Sequence, residues 1–222
     1  MICKRPCTIV VLLVLALAAG GCAIHLGEPA VQGSGVAKTE KRNVAQFERI
    51  DVNGAVEVEY KAGPASPVEV TTDDNLLALV ITEIQGDTLH LYTKGNTSSR
   101  LGIKIKLSAP ALKELKVNGA SRGTLTGLAG KEVRLEANGA GQITATGKAD
   151  RLEIECSGAS HVQAAKMPAR SVTVSANGAS TAEVHADEEL HATASGASTI
   201  RYTGSPAKVQ RDVSGASHVS QQ

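Results

Sequence analysis

Aromatic side chains are nearly absent from this sequence, whose 222 residues include no Trp, one Phe and three Tyr. Proteins hold single-stranded nucleic acid by stacking its bases on aromatic rings, and most nucleic-acid-binding domains carry a basic face. A basic excess is absent too, because 23 Lys and Arg stand against 22 Asp and Glu. The composition therefore argues against a nucleic-acid partner.

Long hydrophobic runs are also absent, and the longest one lies near the start of the chain. Ile9 to Ala19 spans eleven residues, whereas a membrane-spanning helix needs about 20. Lys4 and Arg5 precede this run and small residues follow it, which is typical of a cleaved export signal. We therefore interpret residues 1–21 as a signal peptide and expect an exported protein.

The junction after this signal predicts a lipid anchor. Cys22 directly follows Gly20 and Gly21, and this arrangement resembles the bacterial lipobox, whose cysteine receives diacylglycerol, typically with palmitate, and becomes the new N-terminus. Ala19 stands where Leu is usual, so cleavage by the ordinary signal peptidase stays an alternative. In a Gram-negative cell, Ala23 after the cysteine is typical of sorting to the outer membrane. We expect a lipoprotein of the cell envelope, in the outer membrane or periplasm, that is attached to the membrane through a lipid anchor at Cys22.

Cysteine is too scarce for a disulfide framework. Cys3 and Cys7 belong to the predicted signal and Cys22 to the anchor, which leaves Cys156 alone in the folded part. Cys156 lies in an apolar column described below, which favours a small buried side chain over a nucleophile.

Residues 22–43 are polar and include Gly33-Ser34-Gly35. This composition is typical of a flexible linker, which would hold a folded domain off the membrane. Residues 44–222 are predicted to form one domain.

Glycine is plentiful, and it recurs within a repeated tetrapeptide. The copies are Asn53-Gly54-Ala55-Val56, Asn118-Gly119-Ala120-Ser121, Asn138-Gly139-Ala140-Gly141, Ser157-Gly158-Ala159-Ser160, Asn177-Gly178-Ala179-Ser180, Ser195-Gly196-Ala197-Ser198 and Ser214-Gly215-Ala216-Ser217. The last six begin 20, 19, 20, 18 and 19 residues apart. Such a period indicates an all-β, β-helix-like solenoid with about 19–20 residues per rung, in which each rung is buried only against its neighbours.

Strict alternation of apolar and polar residues surrounds the repeated tetrapeptide. Before four of the copies, the apolar positions are Val133, Leu135, Ala137; Leu152, Ile154, Cys156; Val172, Val174, Ala176; and Leu190, Ala192, Ala194. After the tetrapeptide the pattern resumes with Ile143, Val162, Ala182, Ile200 and Val219. Alternation with a period of two predicts strands that have one buried face, so each rung is strand, tight turn, strand.

The turn glycines are predicted to be structural. Glycine adopts positive φ without steric cost, and a preceding Asn or Ser can hydrogen-bond its own backbone two residues on. A phosphate-binding loop would need a following helix or a Lys at a fixed offset, and no rung supplies either. These structural glycines are Gly119, Gly139, Gly158, Gly178, Gly196 and Gly215.

Residues 44–107 lack the short period but alternate in the same way. Residues 56–60, 68–70, 89–93 and 103–107 are predicted to be longer strands joined by hairpins, and residues 76–84 are ambiguous, with one helical turn as an alternative. We expect this region to cap the N-terminal end of repeats that occupy residues 108–222.

Several ordered motifs resemble a known family. They are the repeated Gly-Ala-Ser turns, Phe47-Glu48-Arg49-Ile50-Asp51-Val52, Asp74-Asn75-Leu76-Leu77, Ala109-Pro110-Ala111-Leu112 and Tyr202-Thr203-Gly204-Ser205-Pro206. From about residue 44 onward the chain is similar to the putative auto-transporter adhesin, head GIN domain family. The resemblance implies a β-helix-like domain of bacterial envelope proteins, and it implies no catalytic, cofactor or binding residues.

The best candidate for catalysis is a cluster of carboxylates on neighbouring rungs. Glu136 and Glu155 share an outward column about 4.8 Å apart at the backbone, with Glu153 and Arg134 beside them. Paired carboxylates near 5 Å suit retaining glycoside hydrolysis. Sugar sites usually also present aromatic surfaces, which this chain lacks, so a solvated ladder of opposite charges is the favoured interpretation.

The histidines do not indicate a metal site. His161 and His218 follow the same motif but are three rungs apart, on the order of 14 Å. A shared zinc ion would need bonds near 2 Å. His185 and His191 flank an acidic turn, residues 187–189, without a recognised ligand spacing. We expect no metal or cofactor.

These observations predict a non-enzymatic envelope protein that presents a flat polar surface to an unidentified envelope protein or glycan. We name two contact rows on the strands after the tetrapeptide. Row one is Arg122, Gln142, His161, Thr181, Thr199 and His218, and row two is Thr124, Thr144, Gln163, Glu183, Arg201 and Ser220. A carbohydrate-binding module or carbohydrate-active enzyme is the alternative, and self-association through stacked rungs is a third interpretation.

Overall fold

The computed structural model describes residues 29–222, so the predicted signal peptide and Cys22 lie outside the described residues. The chain within this range is all-β apart from one 3-10 turn, Leu77–Leu79. The strands are β1 (Val31–Gln32), β2 (Ala37–Arg42), β3 (Arg49–Gly54), β4 (Val56–Ala62), β5 (Val68–Asp73), β6 (Val80–Gln85), β7 (Thr88–Thr93), β8 (Thr97–Ser98), β9 (Ile103–Ala109), β10 (Glu114–Gly119), β11 (Arg122–Ala137), β12 (Gln142–Cys156), β13 (His161–Lys166), β14 (Ala169–Gly178), β15 (Thr181–Gly196), β16 (Thr199–Thr203), β17 (Lys208–Val213) and β18 (His218–Gln221).

The strands pair into two long ladders. Ladder A contains β6, β7, β3, β10, the second halves of β11 and β12, β14, the second half of β15, and β17. Ladder B contains β2, β5, β9, β4, the first halves of β11 and β12, β13, the first half of β15, β16 and β18. Because β12 and β15 belong to both ladders, they close a small ring of pairings with β13 and β14.

Pairing within the repeats is parallel and follows the sequence period. In ladder B, Arg122 pairs with Gln142, Gln142 with His161, and His161 with Thr181. In ladder A, Val133 pairs with Leu152 and the same column continues along the stack. Successive copies of the tetrapeptide therefore lie side by side.

Glycines allow the long strands to bend from one ladder into the other. Gly127 has a φ of +75° and Gly147 a φ of +141°, a range that L side chains rarely adopt. A Cβ on Gly147 would also lie 2.0 Å from the carbonyl oxygen of Leu128. A larger residue there would separate two neighbouring strands.

The core lies between the two ladders, and the predicted alternation is confirmed. Every inward residue predicted from residue 133 onward is buried, from Val133 to Val219. Side-chain size falls along one inward column, where Leu135 and Ile154 are followed by Val174 and Ala192.

The predicted division at residue 107 does not match the pairing. β3 pairs in parallel with β10, and Gly54 pairs with Gly119. β4 likewise pairs in parallel with both β9 and β11. The first copy of the tetrapeptide thus joins the stack, although its spacing in sequence hides this. The prediction of hairpins joining β4 to β5, β5 to β7 and β7 to β9 was wrong, because β4 pairs with β9 and β11, β5 with β2 and β9, and β7 with β3 and β6. The ambiguous segment is the 3-10 turn followed by β6, which forms a hairpin with β7.

The predicted flexible linker does not extend to residue 43. β2 pairs antiparallel with the whole of β5, and β1 pairs with β8. Gly33 serves a close approach instead of flexibility, because a Cβ there would lie 2.5 Å from the carboxyl carbon of Asp73. Gly35 has a φ of +84° and donates its N–H to Asp73. The segment from β1 to β2 is therefore part of the folded domain.

Candidate interaction surfaces

The glycine corner, formed by the stacked tetrapeptide turns, is held together by its backbone. The six turn glycines predicted to be structural have φ between +72° and +80°. The N–H of Ala159 donates to the Gly139 carbonyl oxygen at 2.7 Å, and the other copies repeat this contact. A Cβ on Gly158 would lie 2.7 Å from that same oxygen. These alanine N–H groups are therefore occupied, which argues further against phosphate binding.

The Asn and Ser residues that open the tetrapeptides form a side-chain ladder from Asn53 to Ser157, and Ser195 separately donates to Asn177. Asn118 Nδ2 donates to Asn53 Oδ1 at 3.0 Å, and Asn138 Nδ2 donates to Asn118 Oδ1 at 3.0 Å. Ser157 Oγ continues the ladder by donating to Asn138 Oδ1 at 2.5 Å. In-register parallel pairing places these side chains one strand apart, which is why they bond one another.

The two contact rows are continuous lines on ladder B. Each member of row one pairs with the next, from Arg122 to His218, and row two does the same from Thr124 to Ser220. Neighbours within the rows interact: Arg122 Nε donates to Gln142 Oε1 at 3.1 Å, and Arg201 lies 3.4 Å from Glu183. The geometry brings every predicted row member onto one face with mixed polar chemistry.

The carboxylates proposed for chemistry surround Arg134 on ladder A. The Arg134 guanidinium lies 2.7 Å from Glu153 and 2.8 Å from Glu155, with Glu136 at 3.9 Å and Glu114 at 3.8 Å. Burial opposes the ionised guanidinium, but these carboxylates outweigh it and raise the pKa of Arg134. The arrangement is an ion-pair network.

Glu136 is the most enclosed carboxylate of this network. Burial favours its neutral form, yet hydrogen bonds from Lys116 at 2.8 Å and Asn138 at 2.7 Å outweigh burial and lower the pKa of Glu136. The same contact raises the pKa of Lys116. A general acid needs a raised pKa, so the geometry favours a structural role for Glu136.

The remaining reactive side chains are dispersed. Cys156 is buried in the inward column, and burial raises the pKa of its thiol to about 12. His185 contacts Asp187 at 3.1 Å and Thr203 at 2.9 Å. Among residues 29–222, no three His, Cys, Asp or Glu side chains form a group that could hold a metal ion.

Sequence reasoning missed a buried carboxylate at the N-terminal end of the ladders. Asp73 accepts hydrogen bonds from the N–H of Gly35 at 2.6 Å, the hydroxyl of Ser99 at 2.5 Å and the N–H of Arg100 at 3.1 Å. The Ser99 bond is the largest cause that lowers the pKa of Asp73. These hydrogen-bond partners of Asp73 are distant from it in sequence. The available sequence signal was the glycine pair in Gly33-Ser34-Gly35, which packs against Asp73.

Buried serines were also missed. The fourth residue of four tetrapeptides is a serine with almost no exposed surface, at Ser121, Ser160, Ser180 and Ser198. Ser198 Oγ donates to the Ala176 carbonyl oxygen at 2.9 Å, whereas Ser160 Oγ has the Cys156 thiol as a polar neighbour. The recurrence of serine at this position in the repeat was the available signal.

Within the part of the chain that the structure describes, no helix combines the length and hydropathy that a bilayer crossing requires.

Solved structures share this fold. A putative adhesin from Bacteroides fragilis NCTC 9343 matches with a TM-score of 0.69 and 19% identity, covering 87% of this chain and 100% of that one. A putative adhesin from Parabacteroides merdae ATCC 43184 matches with a TM-score of 0.59 and 24% identity, over 87% and 99% of the chains. A putative lipid binding protein from Parabacteroides distasonis ATCC 8503 has a TM-score of 0.52 and 20% identity, over 87% and 100%.

Comparison with curated protein sequences found no significant match. The family model described as "Putative auto-transporter adhesin, head GIN domain" matches residues 46–206. This range includes ladder strands β3 to β16 and five of the six structural glycines. The chain therefore belongs to the putative auto-transporter adhesin, head GIN domain family.

Proposed function

We propose that this protein is an exported lipoprotein of the cell envelope whose stacked domain binds a partner without catalysis. Membership of a family described as putative adhesins supports an exported cell-surface or envelope protein. The export signal and the lipobox-like junction at Cys22 support attachment through a lipid. The domain is a β-solenoid in this proposal, supported by parallel pairing at offsets that match the sequence repeat.

The observation that carries the binding role is the unbroken register of the two contact rows. Polar side chains at about 4.8 Å intervals form a flat, regular surface, and their backbones are fixed by pairing on both sides. Such a surface needs little reorganisation on binding, which favours affinity. The Arg134 network supports the non-catalytic part of the proposal, because its carboxylates are paired with cations.

Intact mass spectrometry of the protein extracted from its membrane tests the anchor. The expected result is loss of residues 1–21 together with a lipid-sized mass increase that is absent from a Cys22→Ala variant. A mature chain that has lost its signal but carries no lipid would refute the anchor and leave the export proposal standing.

A pair of Trp substitutions tests the contact rows. Thr181 and Thr199 are paired neighbours in row one, and Thr181→Trp with Thr199→Trp is expected to weaken binding of protein-coated beads to whole bacteria and to purified cell-wall sacculi. The matched control is Ser175→Trp with Thr193→Trp, paired neighbours on ladder A. Equal binding by both double variants, with unchanged circular dichroism, would remove row one from the proposal.

A further inference from the structure

Exposed aliphatic side chains concentrate at one corner of the described chain. Among residues 29–222, Val31, Val36 and Leu101 have 45%, 59% and 42% of their surface exposed. The other two large exposed aliphatics, Val209 and Val213, lie on the last strand of ladder A at the opposite end. Single exposed aliphatics are ordinary, but a group of them on neighbouring segments marks an interaction surface. We call Val31, Val36 and Leu101 the apolar corner.

The apolar corner is held in place by the buried carboxylate of Asp73. One carboxylate oxygen accepts from Gly35, next to Val36, and the other accepts from Arg100 and Ser99, next to Leu101. Pairing of β1 with β8 fixes Val31 against the same loop. The three side chains therefore project from two segments that are tied together, so little ordering is needed when they bind.

Cations flank the apolar corner. Arg100 lies within the loop that carries Leu101, and Lys94 lies just before β8, and both are exposed. Asp74 is the exposed acid of this region, and it accepts a hydrogen bond from Ser34 at 2.5 Å. Aliphatic side chains with neighbouring cations suit the headgroup region of an anionic bilayer.

The length of chain before the apolar corner places it close to the proposed lipid. Eight residues lie between Cys22 and Val31, and the nine steps from Cys22 to Val31 can span at most about 30 Å when the chain is fully extended. The last strands of the ladders lie on the order of 40 Å farther away, at about 4.8 Å per strand. A lipid at Cys22 would therefore keep the apolar corner within about 30 Å of the membrane, whereas Val209 lies on the last strand of ladder A.

We propose that the apolar corner docks onto the anionic surface of the bilayer and so fixes the orientation of the domain. This inference rests on the proposed lipid anchor at Cys22. With the corner on the membrane, the ladders stand upright and the two contact rows run away from the bilayer, where an envelope partner can reach them.

Tryptophan fluorescence can test the orientation, since the chain has no Trp of its own. Val36→Trp, Leu101→Trp and the control Val209→Trp are each prepared in the lipidated protein and reconstituted into phosphatidylethanolamine and phosphatidylglycerol vesicles with brominated acyl chains. The control valine is 39% exposed, close to Leu101. Quenching with blue-shifted emission is expected for the two corner variants and not for Val209→Trp.

The outcomes separate the inference from the proposed function. Vesicle-bound protein without quenching at either corner position would overturn the docking surface and leave the anchor standing. Blue-shifted corner emission that rises with protein concentration, without quenching, would assign the corner to a second copy of the chain and also overturn the inference.

If mass spectrometry finds no lipid at Cys22, the same variants are tested as the unlipidated protein with the same vesicles. Corner-specific quenching would then support docking without an anchor, and its absence would overturn both ideas. Leu101→Asp is expected to abolish quenching of Val36→Trp, and retained quenching would show that Leu101 takes no part.

Discussion

Adding a single methyl group at Gly158 tests whether the stacked turns hold the fold together. Gly158 has a φ of +77°, and a Cβ would lie 2.7 Å from the Gly139 carbonyl oxygen and 3.2 Å from the Gly139 Cα. That oxygen also accepts the Ala159 N–H at 2.7 Å. Gly158→Ala therefore meets two separate penalties, one from its own backbone and one from the neighbouring turn.

The two penalties can be estimated separately. An L residue in the left-handed region costs about 1–2 kcal/mol. Moving the neighbouring carbonyl away weakens a ladder hydrogen bond whose net contribution is about 0.5–1.5 kcal/mol. We expect Gly158→Ala to lower the free energy of unfolding by about 1.5–3.5 kcal/mol, a large part of the 5–15 kcal/mol typical of a domain.

Two other glycines separate these contributions. Gly86 has a φ of +65° with nothing within 4 Å of its Cβ position, and Gly63 has open space without a left-handed φ. Gly86→Ala is expected to cost about 1–2 kcal/mol, and Gly63→Ala is expected to be close to neutral.

Urea unfolding followed by circular dichroism, in the Cys22→Ala background, measures all three glycine variants. Equal losses of unfolding free energy for Gly158→Ala and Gly86→Ala would refute the claim that contact between stacked turns adds to the cost of a left-handed φ.

Four further predictions concern other side chains of the domain. Asn138→Ala should lower the free energy of unfolding by about 1–3 kcal/mol, because it interrupts the side-chain ladder and leaves its partners unsatisfied; an unchanged urea midpoint would argue against the ladder. Arg134→Gln should cost about 1 kcal/mol at low salt and less at high salt, since the exposed parts of the network are screened; a loss independent of salt would contradict this. Asp73 has a folded pKa below its ordinary 3.8, so its stabilisation is complete above that value and is lost as pH falls from 3.8 through the folded pKa; the acid limb of a stability profile should flatten in Asp73→Asn. The Cys156 thiol, with its pKa raised to about 12, should react with an aromatic disulfide at pH 8 only after unfolding, and rapid labelling of the native protein would show that the column opens.

Much of the repeat region could be predicted from the sequence because its information is local. Alternation assigns a face to each residue, and the regular return of glycine sets the length of each rung. Leu135, Ile154 and Val174 are buried in one column, as alternation requires. The contact rows follow from the same rule. Each inward residue after the tetrapeptide, such as Ile143, is flanked by two outward residues, here Gln142 and Thr144.

The contacts that join distant parts of the chain could not be predicted in this way. Gly54 lies 65 residues before its partner Gly119, so the spacing that reveals the other rungs is missing. Gly33-Ser34-Gly35 has the composition of a linker, and only the carboxylate of Asp73, 38 residues beyond Gly35, explains why these glycines are there. The glutamates near Arg134 look like candidate catalysts until their cationic partners are placed around them.

The sequence by itself determined the strand character, the length of the repeat, the buried columns and the position of the turns, because each depends on residues within one period. Tertiary structure alone decided which side chains satisfy one another: Asn138 with Asn118, Glu136 with Lys116, and Asp73 with two loops. The reason is that hydrogen bonds and ion pairs depend on atomic separation across strands, and the separation is set only when the ladders have closed around the core.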